Sequence, residues 1–246
     1  MITNDPYTSG TAHPAADPAL AARLAGRLQL AGDWDGALSL LPGQDRDTAG
    51  QRAGILVDRY WWRLDDPAPA EQAVAGLEDQ VRRGYLAAQL AYMRLLFRLG
   101  PRPGDEQAIG DGLREAVRHD RLRGWATFWQ GVVADNVHGD PGTAARRYGE
   151  ALALCRAGQD LLLESYVVRH QGGHLIDGDP LAGEMLLRRS LYLRAALGAR
   201  PLTAAAQATL AGVLEPGAVR DTLLQAARAT AAELSLTWLN EQLTSA

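Results

Sequence analysis

The residues best suited to chemistry lie close together, between positions 135 and 177. Tyr166, His170, His174 and Asp177 fall at i, i+4, i+8 and i+11, so a helix would stack them along one face. Two histidines one turn apart make a workable half-site for a metal such as zinc. An imidazole is also the acid–base group best matched to neutral pH. On this reading catalysis would fall to His170, His174 and Tyr166. Arg169 adjoins them, and its guanidinium can grip a carboxylate or phosphate through two parallel hydrogen bonds. The competing reading is polar packing, with the histidines bonded across helices or to a neighbouring turn. No His-Glu-x-x-His motif completes a metalloenzyme site, so no metal and no cofactor is assigned.

Other chemistries are excluded by composition. The basic residues number 25 and all are Arg. Without Lys there is no Schiff base, no catalytic amine and no P-loop lysine. A single cysteine, Cys155, excludes an intramolecular disulfide and a multi-thiolate zinc site. Its neighbours, Ala151 to Leu154, suggest a small side chain packed within a helix. Gly-x-Ser-x-Gly, Walker A and dinucleotide fingerprints are all missing. A net charge of −4 is too small to argue for nucleic acid or an anionic membrane surface. Arg82-Arg83, Arg146-Arg147 and Arg188-Arg189 are not interleaved with aromatics, which also argues against nucleic acid. No apolar segment reaches the ~18 residues that span a bilayer, and positions 1–17 lack the basic start and apolar run of a signal peptide. The expected location is cytoplasmic, with neither nucleic acid nor membrane as a partner.

A repeated segment would position these side chains. Val137-His138-Gly139-Asp140-Pro141 returns as Ile176-Asp177-Gly178-Asp179-Pro180, 39 residues on. An aromatic- or His-bearing segment precedes each Gly-Asp-Pro and an Ala/Leu/Arg-rich one follows it, the pattern of stacked helical hairpins with Gly-Asp-Pro as the turn. Used as a ruler, the displacement carries His174 and Asp177 back onto Asp135 and His138. Neighbouring hairpins would then present Asp135, His138, His174 and Asp177, four metal-capable side chains, at one end of a groove. The Trp125/Trp129 stripe would lie beside Tyr166. The same alternation runs along the chain: Asp17-Pro18 is a helix start, 71–83 reads as one helix punctuated by Gly84, and 100–104 is the most emphatic loop. No segment has the period-two pattern of a strand. The expected fold is all-α, an α-solenoid of about six antiparallel helical hairpins forming one domain over 17–246. Residues 1–16 read as a disordered lead-in, and a segment from about 235, with Trp238 and Leu239, as a cap on the stack.

Gly32-Asp33-Trp34-Asp35-Gly36-Ala37-Leu38 and Gly139-Asp140-Pro141-Gly142-Thr143-Ala144 resemble the hairpin turn of tetratricopeptide repeats (TPRs). Tyr148 and Ala151 follow the second of these at family-like spacing. One repeat later, Gly183, Leu187 and Ser190 stand in the places of Ala144, Tyr148 and Ala151. The displacement of 39 exceeds the roughly 34 of that family. Arg169-His170, Gly178-Asp179 and the segment from Ser190 to Arg194 are similar to degenerate repeats common in actinobacterial regulators. The resemblance implies that the first helix of each hairpin lines a concave groove that binds peptides or other ligands.

Sorting the aromatics by helix supports such a groove. First helices hold Tyr60, Trp61, Trp62, Tyr85, Tyr92, Phe97, Trp125, Phe128, Trp129 and Tyr166, whereas second helices hold only Trp34, Tyr148 and Tyr192. Tyr60, Trp61 and Trp62 point about 100° apart, so they cannot share one core. The expected ligand contacts are Trp61, Trp62, Tyr92, Trp125, Trp129, Tyr166, Arg169 and His170. Their structural alternative is packing between hairpins. The leading function is a binding and scaffold module, in a regulatory role, for a peptide, a protein segment or a small apolar or aromatic ligand. The alternative is an enzyme or metal-dependent ligand binder using the His170/His174 face. A third reading is a homo-oligomer assembled through an exposed end helix.

Overall fold

Aspartate starts helix after helix. The side chains of Asp17, Asp33, Asp79, Asp140, Asp160 and Asp179 each accept a hydrogen bond from a backbone N–H two or three residues on, at 2.9–3.1 Å. Each one satisfies a donor that the first helical turn would otherwise leave open. Proline follows directly at Pro18, Pro141 and Pro180, where its missing N–H costs nothing. The repeated Gly-Asp-Pro is therefore a stop and a start in three residues.

The computed structural model describes residues 17–41 and 46–245. The expected lead-in, 1–16, lies outside them. The described residues form thirteen helices and no strand: α1 (Pro18–Ala31), α2 (Trp34–Ser39), α3 (Arg46–Arg63), α4 (Ala68–Ala75), α5 (Gln80–Leu96), α6 (Asp105–Ala116), α7 (Asp120–Asn136), α8 (Pro141–Ala157), α9 (Leu161–Leu175), α10 (Pro180–Ala196), α11 (Arg200–Ala211), α12 (Ala218–Leu234) and α13 (Thr237–Ser245). Consecutive helices pack in pairs, most extensively α5 with α6, α7 with α8, α9 with α10 and α11 with α12. The first helices α3, α5, α7 and α9 also touch in succession. This is an all-α solenoid of six hairpins followed by one further helix. None of these helices is long and apolar enough to cross a membrane.

The two ends of the solenoid meet. α13 packs on α3 as well as on α12, and α1 packs on α11. The rings of Trp62 and Trp238 stack with centroids 5.2 Å apart, and the Thr237 hydroxyl donates to the Arg63 carbonyl. Ala25, Trp34 and Ile55 share one core with Leu202, Ala231 and Leu239. A second core joins α3 through α9.

The expected helix over 71–83 is divided. α4 ends at Ala75, α5 begins at Gln80 under the Asp79 cap, and Gly84 lies inside α5 rather than ending a helix. The close approach of the two helices requires glycine at Gly112 of α6: a Cβ there would come within 2.3 Å of the Gly84 carbonyl oxygen, whereas a Cβ on Gly84 would meet only the Gly112 Cα at 3.6 Å. The 100–104 loop lies within this same hairpin, and Arg94 of α5 pairs across it with Asp105 of α6. The α7/α8 and α9/α10 hairpins differ in how they close. Tyr148 lies over Gly131, where a Cβ would be 2.7 Å from the ring. Leu187 replaces that ring in the next hairpin, and there Gly172 and Gly183 bring the backbones into contact while Ser190 donates to the Ser165 carbonyl at 2.6 Å.

Because Trp238 joins the ends, Trp238→Ala is expected to lower unfolding free energy by about 2–3 kcal/mol, less than for a fully enclosed ring. Tyr192→Ala, at a side chain 70% exposed on α10, should cost less than roughly 0.5 kcal/mol. Urea denaturation of both variants checks this, and equal small effects would mean that the ends do not support one another.

Candidate functional site

Three consecutive aromatics on α3 divide their faces as helical geometry requires. Tyr60 is buried in the core of the middle hairpins and Trp62 in the core shared by the chain ends. Trp61, between them, is half-buried and turns inward. Its ring meets Tyr92 of α5 at 6.1 Å, stacked, and Trp129 of α7 at 5.8 Å, edge-on. Trp125 continues the stripe one turn earlier and contacts Tyr166 of α9 at 5.2 Å. Trp125 Nε1 donates to the Asp160 carboxylate at 3.0 Å, so the residue that caps α9 also anchors a ring of α7.

Trp61, Trp129 and Tyr166 form a wall shared by two cavities inside the solenoid. The smaller, about 200 Å³, is bounded by Tyr92, Phe128, Arg169, His170, Arg194 and Trp238, with Leu96 and Asn136 as its most exposed lining. The larger, about 390 Å³, is bounded by Asp58, Arg82, Tyr85, Gln89, Trp125 and Leu162. All eight expected ligand contacts line one cavity or the other: Trp61, Trp62, Trp129 and Tyr166 line both, Tyr92, Arg169 and His170 the smaller, and Trp125 the larger.

The polar groups are held by their surroundings. Asn136 Nδ2 donates to the Tyr92 hydroxyl at 2.8 Å. Burial pushes the Tyr92 hydroxyl up to about 12 and raises that of Tyr166 further still, so both stay protonated at neutral pH. Arg169 donates from Nε and Nη2 to the Thr209 hydroxyl at 3.2 and 3.0 Å. Arg194, only 2% exposed, lies 5.0 Å over the Tyr166 ring and donates from Nη1 to the Leu202 carbonyl at 3.0 Å. In the larger cavity Asp58 accepts from Gln29 and from Trp34 Nε1, at 3.1 and 2.9 Å. Burial raises its carboxyl above the usual carboxylate range.

The 39-residue ruler matches the ends of α7 and α9, but the four metal-capable side chains do not come together. Asp135 and His174 do meet, with His174 Nε2 2.8 Å from Asp135 Oδ2, and the Tyr148 hydroxyl donates to the same oxygen at 3.2 Å. But α7 ends at Asn136 and α9 at Leu175, so His138 and Asp177 lie in turns and not on the helix faces that bear their partners. His138 instead lines an outer cavity with Ile109 and Leu113, and Asp177 is exposed. Among the described residues no three His, Cys, Asp or Glu side chains are grouped to hold a metal ion. His170 is separated from His174 in role as well. Its ring meets Phe128 and Tyr148, both at 5.1 Å, and Nδ1–H donates to the Tyr166 carbonyl at 2.9 Å. Burial, and then the Arg169 charge, push its imidazole down to about 3. It is therefore neutral at physiological pH, with Nε2 as a bare acceptor.

Sequence reasoning missed Arg194 and Asp58. A signal for Arg194 existed: Gly183, Leu187, Ser190 and Arg194 fall at helical spacing on the buried stripe of α10. Asp58 had none, since nothing in the sequence sets it apart from Asp47, the other acid of α3. Trp238, expected only as part of a cap, lines the smaller cavity. The end helix that carries it packs on α3 and α12, while Leu181, Met185 and Tyr192 on α10 are the large apolar side chains most turned to solvent.

No family model matches the chain, and no curated protein matches it.

A histidine whose folded-state pKa lies below its ordinary 6.5 takes up its proton in the unfolded chain first. Its contribution to stability is therefore complete above pH 6.5 and is lost as pH falls from there toward 3. The expected result is a His170 imidazole resonance that does not titrate above pH ~4 by NMR. A midpoint near 6.5 would mean that the ring is hydrated and not enclosed.

Proposed function

We propose that the chain is a TPR-like binding module whose interior holds a small apolar or aromatic ligand. The observation that carries this is the half-burial of Trp61, Trp129 and Tyr166. Each packs edge-on or stacked against other rings yet keeps a face toward a cavity. A ring used only as packing is surrounded on both faces, because an unfilled void forfeits dispersion contacts. Rings held rigid by neighbours but open on one side are what a preformed apolar site needs. The size suits a small ligand: the smaller cavity is about 200 Å³, and a cavity of ~150 Å³ accepts benzene. Closure of the solenoid argues in the same direction. Trp238 of α13 occupies the wall beside Trp62, where an open stack would continue its groove. That favours a small molecule over a peptide or protein segment in extended form.

Enzymatic use of the histidine face is the weaker reading. His170 is too poor a base at neutral pH, and the Tyr166 hydroxyl is locked in its protonated form. His174 with Asp135 is an acid–base pair in geometry, but neither side chain lines the two inner cavities.

A panel of indole, phenyl and six- to eight-carbon alkyl compounds, in charged and uncharged forms, tests the proposal by thermal denaturation. At about 100 times Kd, a true ligand should stabilise by about 2.7 kcal/mol, a rise in Tm of roughly 5–10 °C for a chain of this size. Tryptophan emission should change with it. Trp129→Ala should abolish both effects while leaving a folded helical protein. The proposal is lost if no compound moves Tm, or if the rise survives in Trp129→Ala.

A further inference from the structure

Charge around the smaller cavity does not balance. Arg194 is 2% exposed, lines the cavity, and has an Nε without a hydrogen-bond acceptor among the described residues. Arg169 lines the same cavity and spends two N–H groups on a single hydroxyl. The Arg169 charge acts on Arg194, and the other groups that act on the two guanidiniums are tyrosines, with no carboxylate among them. Burial, and then the Arg169 charge, push Arg194 down to about 9, which leaves it cationic at neutral pH.

The molecule treats its other buried charges differently. Glu164, 4% exposed, receives two hydrogen bonds from Arg189 at 2.7 and 2.9 Å. Asp105, 5% exposed, is gripped by Arg94 and by the Arg102 N–H. Asp58, the half-buried acid of the larger cavity, is occupied by Gln29 and Trp34. A buried charge is normally paired, and two like charges lining one partly enclosed cavity are unfavourable unless an anion completes them.

We propose that Arg169 and Arg194 receive the carboxylate of a small aromatic acid whose body rests against Trp61, Tyr92, Phe128 and Trp129. This rests on the reading of the interior as a ligand site and adds the chemical class. Planar guanidiniums match the two oxygens of a carboxylate. Neutral His170 turns an acceptor, not a donor, to the site, and phenyl phosphate among the probes distinguishes a carboxylate from a phosphate. The cavity volume admits a ring with a short acidic side chain and little more.

Indole-3-acetate and phenylacetate, their neutral amides, and phenyl phosphate are the probes, titrated calorimetrically and by tryptophan fluorescence. The acids should bind roughly 10- to 100-fold more tightly than the amides, and phenyl phosphate more weakly than the acids. Arg169→Met and Arg194→Met should each erase the preference for acid over amide. Their ligand-free forms should melt at the same temperature or higher, because an unpaired buried charge has been removed; a guanidinium with a purely structural role would lower Tm. If Arg194→Met does not fold, Arg169→Met alone decides. Equal binding of acid and amide, preference retained in the Met variants, or tighter binding of phenyl phosphate each overturn the carboxylate assignment while leaving the aromatic site standing. Failure of both acids and amides to bind overturns the ligand site itself.

Discussion

The contact between Trp62 and Trp238 decides what kind of solenoid this is. A helical repeat stack normally leaves apolar faces at its two ends and a concave surface open to water along its length. Here the first and last hairpins share a core, and α13 bridges from α12 to α3. Joining the ends covers both apolar faces at once. It also converts a groove lined by first helices into cavities bounded on several sides, including the side formed by Trp238 itself.

Every electrostatic property of the interior follows from that enclosure. Excluding water disfavours the charged form of any group without a partner. His170 responds by staying neutral, Tyr92 and Tyr166 by keeping their protons, and Asp58 by a raised pKa. Arginine has no such escape, because its ionisation lies so far above neutrality that even a large depression leaves it charged. The smaller cavity is therefore lined by His170, Tyr92 and Tyr166, neutral groups that do not exchange protons near pH 7, together with two cations that cannot shed theirs. Such a set is poorly made for proton transfer and well made for holding an anion.

The hairpins were legible in the sequence because their signals are local. Asp140 and Asp179 cap their helices within three residues, and the Gly-Asp-Pro repeat needs no tertiary information. The misreading at 71–84 has the opposite character. Gly84 is a helix breaker by propensity, yet it lies inside α5, and its carbonyl meets Gly112, 28 residues away, only once α5 and α6 pack. The aromatic lining could be read from helix order alone, which is why the expected ring contacts do line the cavities. Closure could not be read, since the core of Ala25, Trp34, Leu202 and Leu239 joins residues nearly a whole chain apart. Nor could the His138 and Asp177 positions: a displacement between repeats carries helix faces over faithfully, but a helix that ends two residues early sends the next side chain elsewhere.

The same displacement, applied to the folded chain, separates what the two hairpins share from what they do not. Thirty-nine residues before Arg194 stands Cys155, also buried on the second helix of its hairpin. Thirty-nine before Arg169 and His170 stand Gln130 and Gly131, the latter bare because Tyr148 lies on it. The scaffold positions are thus equivalent, while their chemistry has moved from a thiol, an amide and no side chain to two guanidiniums and an imidazole. Arg194 and Arg169 each reach the next hairpin, at the Leu202 carbonyl and the Thr209 hydroxyl of α11, while His170 turns back on its own helix at the Tyr166 carbonyl. Cys155 and Gly131 are small residues of the kind that interhelical contacts favour, whereas their counterparts are a buried guanidinium whose Nε has no acceptor among the described residues and a neutral imidazole. The departure puts two guanidiniums and an imidazole on the wall of the smaller cavity, where α7 of the preceding hairpin contributes Phe128, Trp129, Val132 and Asn136.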